Sequence, residues 1–163
     1  MISNASLENL TRSGQLRKHE ATPDEIRYHI GRARNLLEDA RKKTNSLDGR
    51  FNNAYGAGHA LLMAAIKMRG YRPADAKGHR LILYQLINRL LPAAAAAKSI
   101  LEYVHGLRNR SEYDGDPIDV TQGLVDDLIA AVDNVRQEVD AAFRAWSRTT
   151  PAAPAATRNR RGK

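Results

Sequence analysis

The sequence predicts an all-α fold, a five-helix up-and-down bundle, from three observations. Alanine is the most frequent residue, and it is the strongest helix former. Apolar residues recur at spacings of three and four, while β-branched residues rarely alternate with polar ones, which favours helices over strands. Capping and turn residues divide the chain into segments of helical length. The 163 residues are enough to bury one core without disulfide or metal support.

The first two predicted helices have clear starts. Residues 22–25, Thr-Pro-Asp-Glu, form a capping box with proline at the first helical position. Behind it, an apolar face follows spacings of four, three, four and three: Ile26, Ile30, Ala33, Leu37 and Ala40. This helix should end near 43–46, and the second should span 47–69. Gly56 and Gly58 inside the second helix each cost about 1 kcal/mol relative to alanine, so we expect another backbone to approach there and this helix to be central.

Three further helices complete the predicted bundle, and no strand is expected. Gly70 caps the second helix and 71–78 is a polar loop, after which a third helix covers 79–91. A fourth covers 93–113 and ends at the turn 114–117, Asp-Gly-Asp-Pro. The fifth begins at Pro117, capped by Asp116. Its 3-4 spacing predicts a seam for packing along another helix of its own chain or of a partner: Val125, Leu128, Val132, Val135, Val139, Ala142 and Trp146.

The chain divides into three parts: a partly ordered N-terminal extension (1–21), the helical bundle (22–148) and a basic, Pro/Ala-rich tail (149–163) predicted to be disordered. The formal net charge is +8. The tail contributes four positive charges, and removing them leaves +4: Arg158, Arg160, Arg161 and Lys163. Such a tail is either a solvated end or a sequence-independent contact to phosphates.

Several functional classes are excluded by what the sequence lacks. It contains no cysteine, which excludes disulfides, a thiolate zinc site and a cysteine nucleophile and fits a cytoplasmic protein. No apolar run approaches the roughly 18–20 residues of a membrane span, and the N-terminus lacks the apolar core of a signal peptide. The five histidines show no metal-binding spacing, and no glycine-rich phosphate loop follows a strand. We therefore expect no metal and no cofactor.

Candidate functional residues concentrate near residue 108. In a helix, one polar stripe would carry His105, Arg108, Asn109 and Glu112. Arginine can hold a phosphate with two hydrogen bonds, and His105 or Tyr113 could transfer a proton. The alternative is a solvated helix end with an Arg108–Glu112 ion pair of about 0.3–0.5 kcal/mol. Spacing alone slightly favours the second interpretation.

Residues 24–148 resemble the HEPN family, the helical nucleotide-binding domains of higher eukaryotes and prokaryotes. Three segments carry the resemblance, in the same order and spacing. An opening helix with Leu-Leu-x-x-Ala (36–40) precedes a D-x-R-x-x-x-A-Y start of the second helix (48–55). A glycine turn at Gly70 leads to the histidine that opens the third helix, His79. The stretch 108–114, Arg-Asn-Arg-Ser-Glu-Tyr-Asp, lies where the family has its signature.

The resemblance implies a bundle that binds or cleaves RNA without a metal, across the interface of a homodimer. It implies catalytic roles for Arg108 and Tyr113. RNA or nucleotide contacts would come from Asn109, Arg110, His105 and Arg50. Tyr113 stands where the nuclease signature has a histidine, which resembles the R-x4-Y-D branch of the family; tyrosine is a weaker base at neutral pH.

The resemblance therefore predicts an RNA-acting toxin or effector, with a nucleotidyltransferase-like antitoxin as a further partner. Two alternatives remain open. The chain could be a non-catalytic HEPN module that binds RNA, a nucleotide or a protein partner. It could also be a helical interaction protein without nucleotide chemistry that uses the seam of its fifth helix.

Overall fold

The chain folds into a mostly helical structure, which confirms the predicted all-α class at that level. The computed structural model describes residues 4–75 and 79–149, and the tail from residue 150 onward lies outside them. Within this part there are seven α-helices rather than five: α1 (Asn4–Arg12), α2 (Pro23–Arg41), α3 (Leu47–Met68), α4 (His79–Gln85), α5 (Ile87–Leu90), α6 (Ala97–Asp114) and α7 (Gln122–Thr149). Two short strands accompany them, β1 (Leu16–Lys18) and β2 (Tyr71–Pro73).

Helices α2 and α3 begin where their capping residues predict. The Thr22 hydroxyl accepts a hydrogen bond from the Glu25 amide at 3.2 Å, and the Ser46 hydroxyl accepts one from the Gly49 amide at 3.1 Å. These contacts satisfy amides that have no partner inside the helix. All five predicted core residues of α2 are buried: Ile26, Ile30, Ala33, Leu37 and Ala40.

Helix α3 is the central helix, as its two internal glycines predict. It packs against α2 on one side and α7 on another. A Cβ at Gly58 would lie 3.2 Å from a Val132 methyl carbon and 3.3 Å from one of Leu101. A Cβ at Gly56 would lie 3.3 Å from a Leu36 methyl carbon. The glycines therefore allow the neighbouring helices to approach.

The seam of α7 packs mainly inside its own chain. Its first five positions are buried: Val125, Leu128, Val132, Val135 and Val139. The last two, Ala142 and Trp146, lie with Met68 and Leu91 along a more open groove between α7, α3 and α5. Most of the apolar stripe is thus already covered by α2, α3 and α6.

The predicted start of the last helix at Pro117 is wrong, because α7 begins at Gln122. Thr121 provides the cap, its hydroxyl accepting from the Leu124 amide at 3.2 Å. The preceding residues Ile118 and Val120 are partly buried against the core. Since these two alternate along the chain, the segment is extended rather than helical.

The third and fourth predicted helices also differ in detail. A turn at Leu86 divides the third into α4 and α5, although its predicted inward residues are all buried: Leu83, Leu86, Ile87 and Leu90. A single 3-10 turn (Pro92–Ala94) precedes α6, which begins four residues later than predicted. At its end, Gly115 adopts a left-handed φ of +74° and terminates α6.

The expectation of no strands is wrong. Strands β1 and β2 pair antiparallel, with Leu16 opposite Pro73 and Lys18 opposite Tyr71. Three-residue strands are too short to show a period-two pattern, which is why the sequence does not reveal them. Leu7 of α1 and Leu16 are both buried in the core, so this N-terminal segment packs against the bundle.

Glu25 links the N-terminal segment to α2 and α3. Its carboxylate binds the Lys67 ammonium and, at 2.8 Å, Nε2 of His19, instead of returning to the helix cap. Burial alone would raise the pKa of Glu25. The hydrogen bonds from Lys67 and His19 outweigh burial and lower this pKa to about 2.

The substitution Glu25→Gln is expected to lower the free energy of unfolding by about 2 kcal/mol at pH 7. Because the folded-state pKa lies below the ordinary 4.5, wild type should lose this stabilisation as the pH falls from about 4.5 towards 2. The difference between the two proteins should therefore shrink at pH 3, as measured by urea unfolding. Asp24→Asn removes a neighbouring carboxylate that is 92% exposed and should change little. A pH-independent difference would contradict the assignment.

Candidate anion-binding cleft

A cleft of about 440 Å³ opens between α2, α3, α4 and α6. Helix α3 contributes most of its lining, including the small residues Gly56 and Ala60. The polar groups of the lining come from all four helices: His29 and Arg32 from α2, Asn52, Tyr55 and His59 from α3, Arg80 from α4 and Arg108 from α6. The size is in the range of small-ligand sites.

Three arginines make this cleft positive. None of the described residues that line it is acidic. In the part of the chain that the structure describes, neither Arg32 nor Arg80 has an ion-pair or hydrogen-bond partner. Burial and the Lys67 ammonium lower the pKa of His29, so its side chain contributes little positive charge to the cleft at neutral pH. Like charges gathered in one concave site favour an anionic ligand.

Arg108 has one protein contact on each side. Its guanidinium forms the predicted ion pair with Glu112 at 2.6 Å, and its central carbon lies 4.7 Å from the centre of the Tyr55 ring. The side chain nevertheless remains 25% exposed and reaches the cleft. The ion pair and the cleft position therefore coexist, so the two sequence interpretations do not exclude each other.

His105 lies behind Arg108 and is buried. Its Nδ1 is 2.9 Å from the Tyr55 hydroxyl and its Nε2 is 3.1 Å from the Asn109 amide nitrogen. Burial lowers the pKa of His105, and the charge of Arg80 lowers it further, so the ring is neutral near pH 7. Because an amide nitrogen can only donate, Nε2 accepts and Nδ1 carries the proton, which it donates to Tyr55.

The buried ring of Tyr84 completes this support. It stacks on His105 with 4.8 Å between ring centres. Its hydroxyl makes no hydrogen bond of normal geometry to a described residue, and burial together with the nearby Tyr55 hydroxyl raises its pKa well above 10. His105, Asn109 and Tyr84 thus hold Tyr55, and through it Arg108, in place.

The predicted site residues of α6 occupy different positions relative to the cleft. The structure brings His105, Arg108 and Asn109 together, but only Arg108 lines the cleft. Arg110 is exposed on the same helix. Tyr113 is 78% exposed and does not line the cleft; it follows Arg108 by five residues, which places it about 140° round the helix.

Arg50 lies inside the bundle. It is only 4% exposed, donates to the Ala40 carbonyl at 2.8 Å and to Gln122 at 3.0 Å, and lies 3.5 Å from Asp126. Its donors are occupied by the ends of α2 and α7. In this structure its side chain joins α3, on which it lies, to α2 and α7.

Sequence reasoning missed most of the cleft. Four residues of its lining are absent from the predicted site residues: Arg32, Arg80, Tyr55 and His59. These side chains come from separate segments, so no local spacing brings them together. The one available signal is that Arg32 and Arg80 are basic residues next to apolar faces.

No family model, curated protein or solved structure matches this chain. In residues 4–75 and 79–149, no cluster of three or more histidine, aspartate or glutamate side chains is arranged to hold a metal ion. No helix in that same part of the chain has the length and apolarity needed to cross a membrane.

Proposed function

We propose that the protein is an effector of HEPN type that binds RNA through the cleft described above. This cleft is lined by Arg32, Arg80 and Arg108 and is called the arginine cleft below. The observation that carries the proposal is the convergence of Arg32, Arg80 and Arg108, from three helices, on a cleft whose described lining has no carboxylate. A guanidinium can grip a phosphate with two parallel hydrogen bonds. Arg32 and Arg80 are available for such bonds because no described side chain occupies them.

RNA fits the charge of the whole protein better than a free nucleotide does. The formal net charge is +8 and the isoelectric point is about 10. Such a field attracts a polyanion over a long range, and each neutralised phosphate releases counterions. The HEPN resemblance supports the same ligand class. It also supports the assignment of a five-helix HEPN bundle. In this assignment α4 and α5 together count as one helix, and the other four are α2, α3, α6 and α7.

Binding, rather than cleavage, is the activity that the geometry supports. Tyr113, the proposed proton-transfer residue, lies outside the cleft that contains Arg108. The toxin-type role, the homodimer and the nucleotidyltransferase-like antitoxin rest on the resemblance and stay predictions.

The salt dependence of RNA binding tests the proposal. Arg80→Ala removes one phosphate contact, so the slope of log K against log salt should become shallower by about 0.7, the value for one contact to a single strand. Arg89→Ala is the matched control, since Arg89 is exposed on α5 and does not line the cleft. Fluorescence anisotropy with a short labelled RNA over a salt series measures both slopes.

Two results would contradict the proposal. One is equal slopes for wild type, Arg80→Ala and Arg89→Ala, which would show that RNA is held by the general positive surface. The other is no RNA binding by wild type at low salt. The folding of each variant is checked by its circular dichroism and its melting temperature.

A further inference from the structure

Two shallower depressions adjoin the arginine cleft and share lining residues with it. One, of about 490 Å³, runs over the outer face of α2 and shares Arg32 and Leu36 with the cleft. The other, of about 210 Å³, lies near the end of α6 and shares Asn52 and Arg108 with it. The cleft and these two depressions are together called the groove below.

The two ends of this groove differ in charge. At the end near α6, Glu112 is paired with Arg108, and Asp48 has no ion-pair partner among the described residues. At the end on α2, Arg27 and Asp39 each have an ion-pair partner of opposite charge at 2.6 Å, whereas Arg32 has none among the described residues. The uncompensated charge is therefore negative at the α6 end and positive on α2, which favours a polyanion along α2.

Tyr28 lies in the depression on α2. Its side chain is 62% exposed and is therefore accessible to a ligand. The edge of His29 is its only described aromatic contact, with ring centres 5.6 Å apart and ring planes at 68°. Tyr28 is one helical turn from Arg32, about 6 Å along the axis. A nucleotide whose phosphate contacts Arg32 therefore has its base within reach of the Tyr28 ring.

We propose that Tyr28 stacks on an unpaired base of the bound RNA, so that this groove selects single-stranded over double-stranded RNA. The inference rests on the proposed function and adds the strandedness of its ligand. Bases in a duplex stack on each other inside the helix and offer no free face to Tyr28, whereas an unpaired base of any type can stack on an aromatic ring. In this complex the arginines bind the phosphates of the RNA backbone, and Tyr28 stacks only on a base that is unpaired.

The test compares the dissociation constants of a short single-stranded RNA and of its blunt duplex for wild type, for Arg80→Ala and for three tyrosine variants. Tyr28→Ala should weaken binding of the single strand about tenfold, the effect of losing one base–aromatic stack, and should leave duplex binding unchanged. Tyr28→Phe keeps the ring and should bind both like wild type. Tyr103→Ala is the matched control, because Tyr103 is 56% exposed on α6 and lies outside the groove.

The outcomes separate this inference from the proposed function. If Tyr28→Ala binds the single strand like wild type while Arg80→Ala loses affinity, the cleft binds RNA and the stacking inference is overturned. An equal loss for single strand and duplex also overturns it, since a stack on a free base cannot weaken duplex binding. If wild type binds neither RNA, the proposed function and this inference both fail.

Discussion

Arg50→Ala is expected to lower the free energy of unfolding by about 3 kcal/mol, equivalent to a fall in melting temperature of roughly 6–12 °C. Arg50 is buried, and its guanidinium binds the Ala40 carbonyl at the end of α2 and Gln122 at the start of α7. Removing it leaves that helix-end carbonyl without its partner and opens a cavity. Chemical denaturation at neutral pH measures the loss.

Arg110→Ala is the control for this prediction. Both arginines belong to the set that the sequence resemblance assigns to RNA, but Arg110 is exposed, so its removal should change stability by less than about 0.5 kcal/mol. If Arg50→Ala were as stable as Arg110→Ala, the buried contacts of Arg50 would contribute nothing and the structural role assigned to it would be wrong.

The parts of the fold that the sequence predicts are those where local signals agree with packing. In α2 the Thr22 cap and the spacing of the apolar residues point to the same helix, and the structure confirms both. The start of α7 could not be predicted. Asp116 and Pro117 resemble a helix start, but Ile118 and Val120 gain more by packing on the core in an extended segment. That gain depends on distant parts of the chain.

The candidate site could be predicted only in part, for a similar reason. Arg108 is recognisable because its neighbours in sequence are polar and helical spacing groups them. Arg32 and Arg80 join it only when α2, α4 and α6 fold around α3. Arg50 lies in a family-like motif, and its burial between helix ends could not be predicted from that motif.

Replacing Arg32, Arg80 and Arg108 together with alanine is expected to weaken single-stranded RNA binding by about 100-fold or more. Each arginine offers charge-assisted hydrogen bonds to phosphate, and the loss of only about 1 kcal/mol at each of three sites already gives this factor. The stability should change little, because Arg32 and Arg80 make no hydrogen bond or ion pair to a described residue, and Arg108 loses a partly exposed ion pair and its contact with the Tyr55 ring.

The most direct test of RNA binding in this cleft compares that triple variant with a second one, Arg12→Ala, Arg89→Ala and Arg144→Ala. The second variant removes the same net charge from exposed arginines that do not line the cleft. The measurement is the dissociation constant of one labelled single-stranded RNA at one salt concentration for both variants and wild type. The account predicts about a 100-fold loss for the cleft variant and less than tenfold for the surface variant. Equal losses would show that net charge, not the cleft, holds the RNA, and would contradict it.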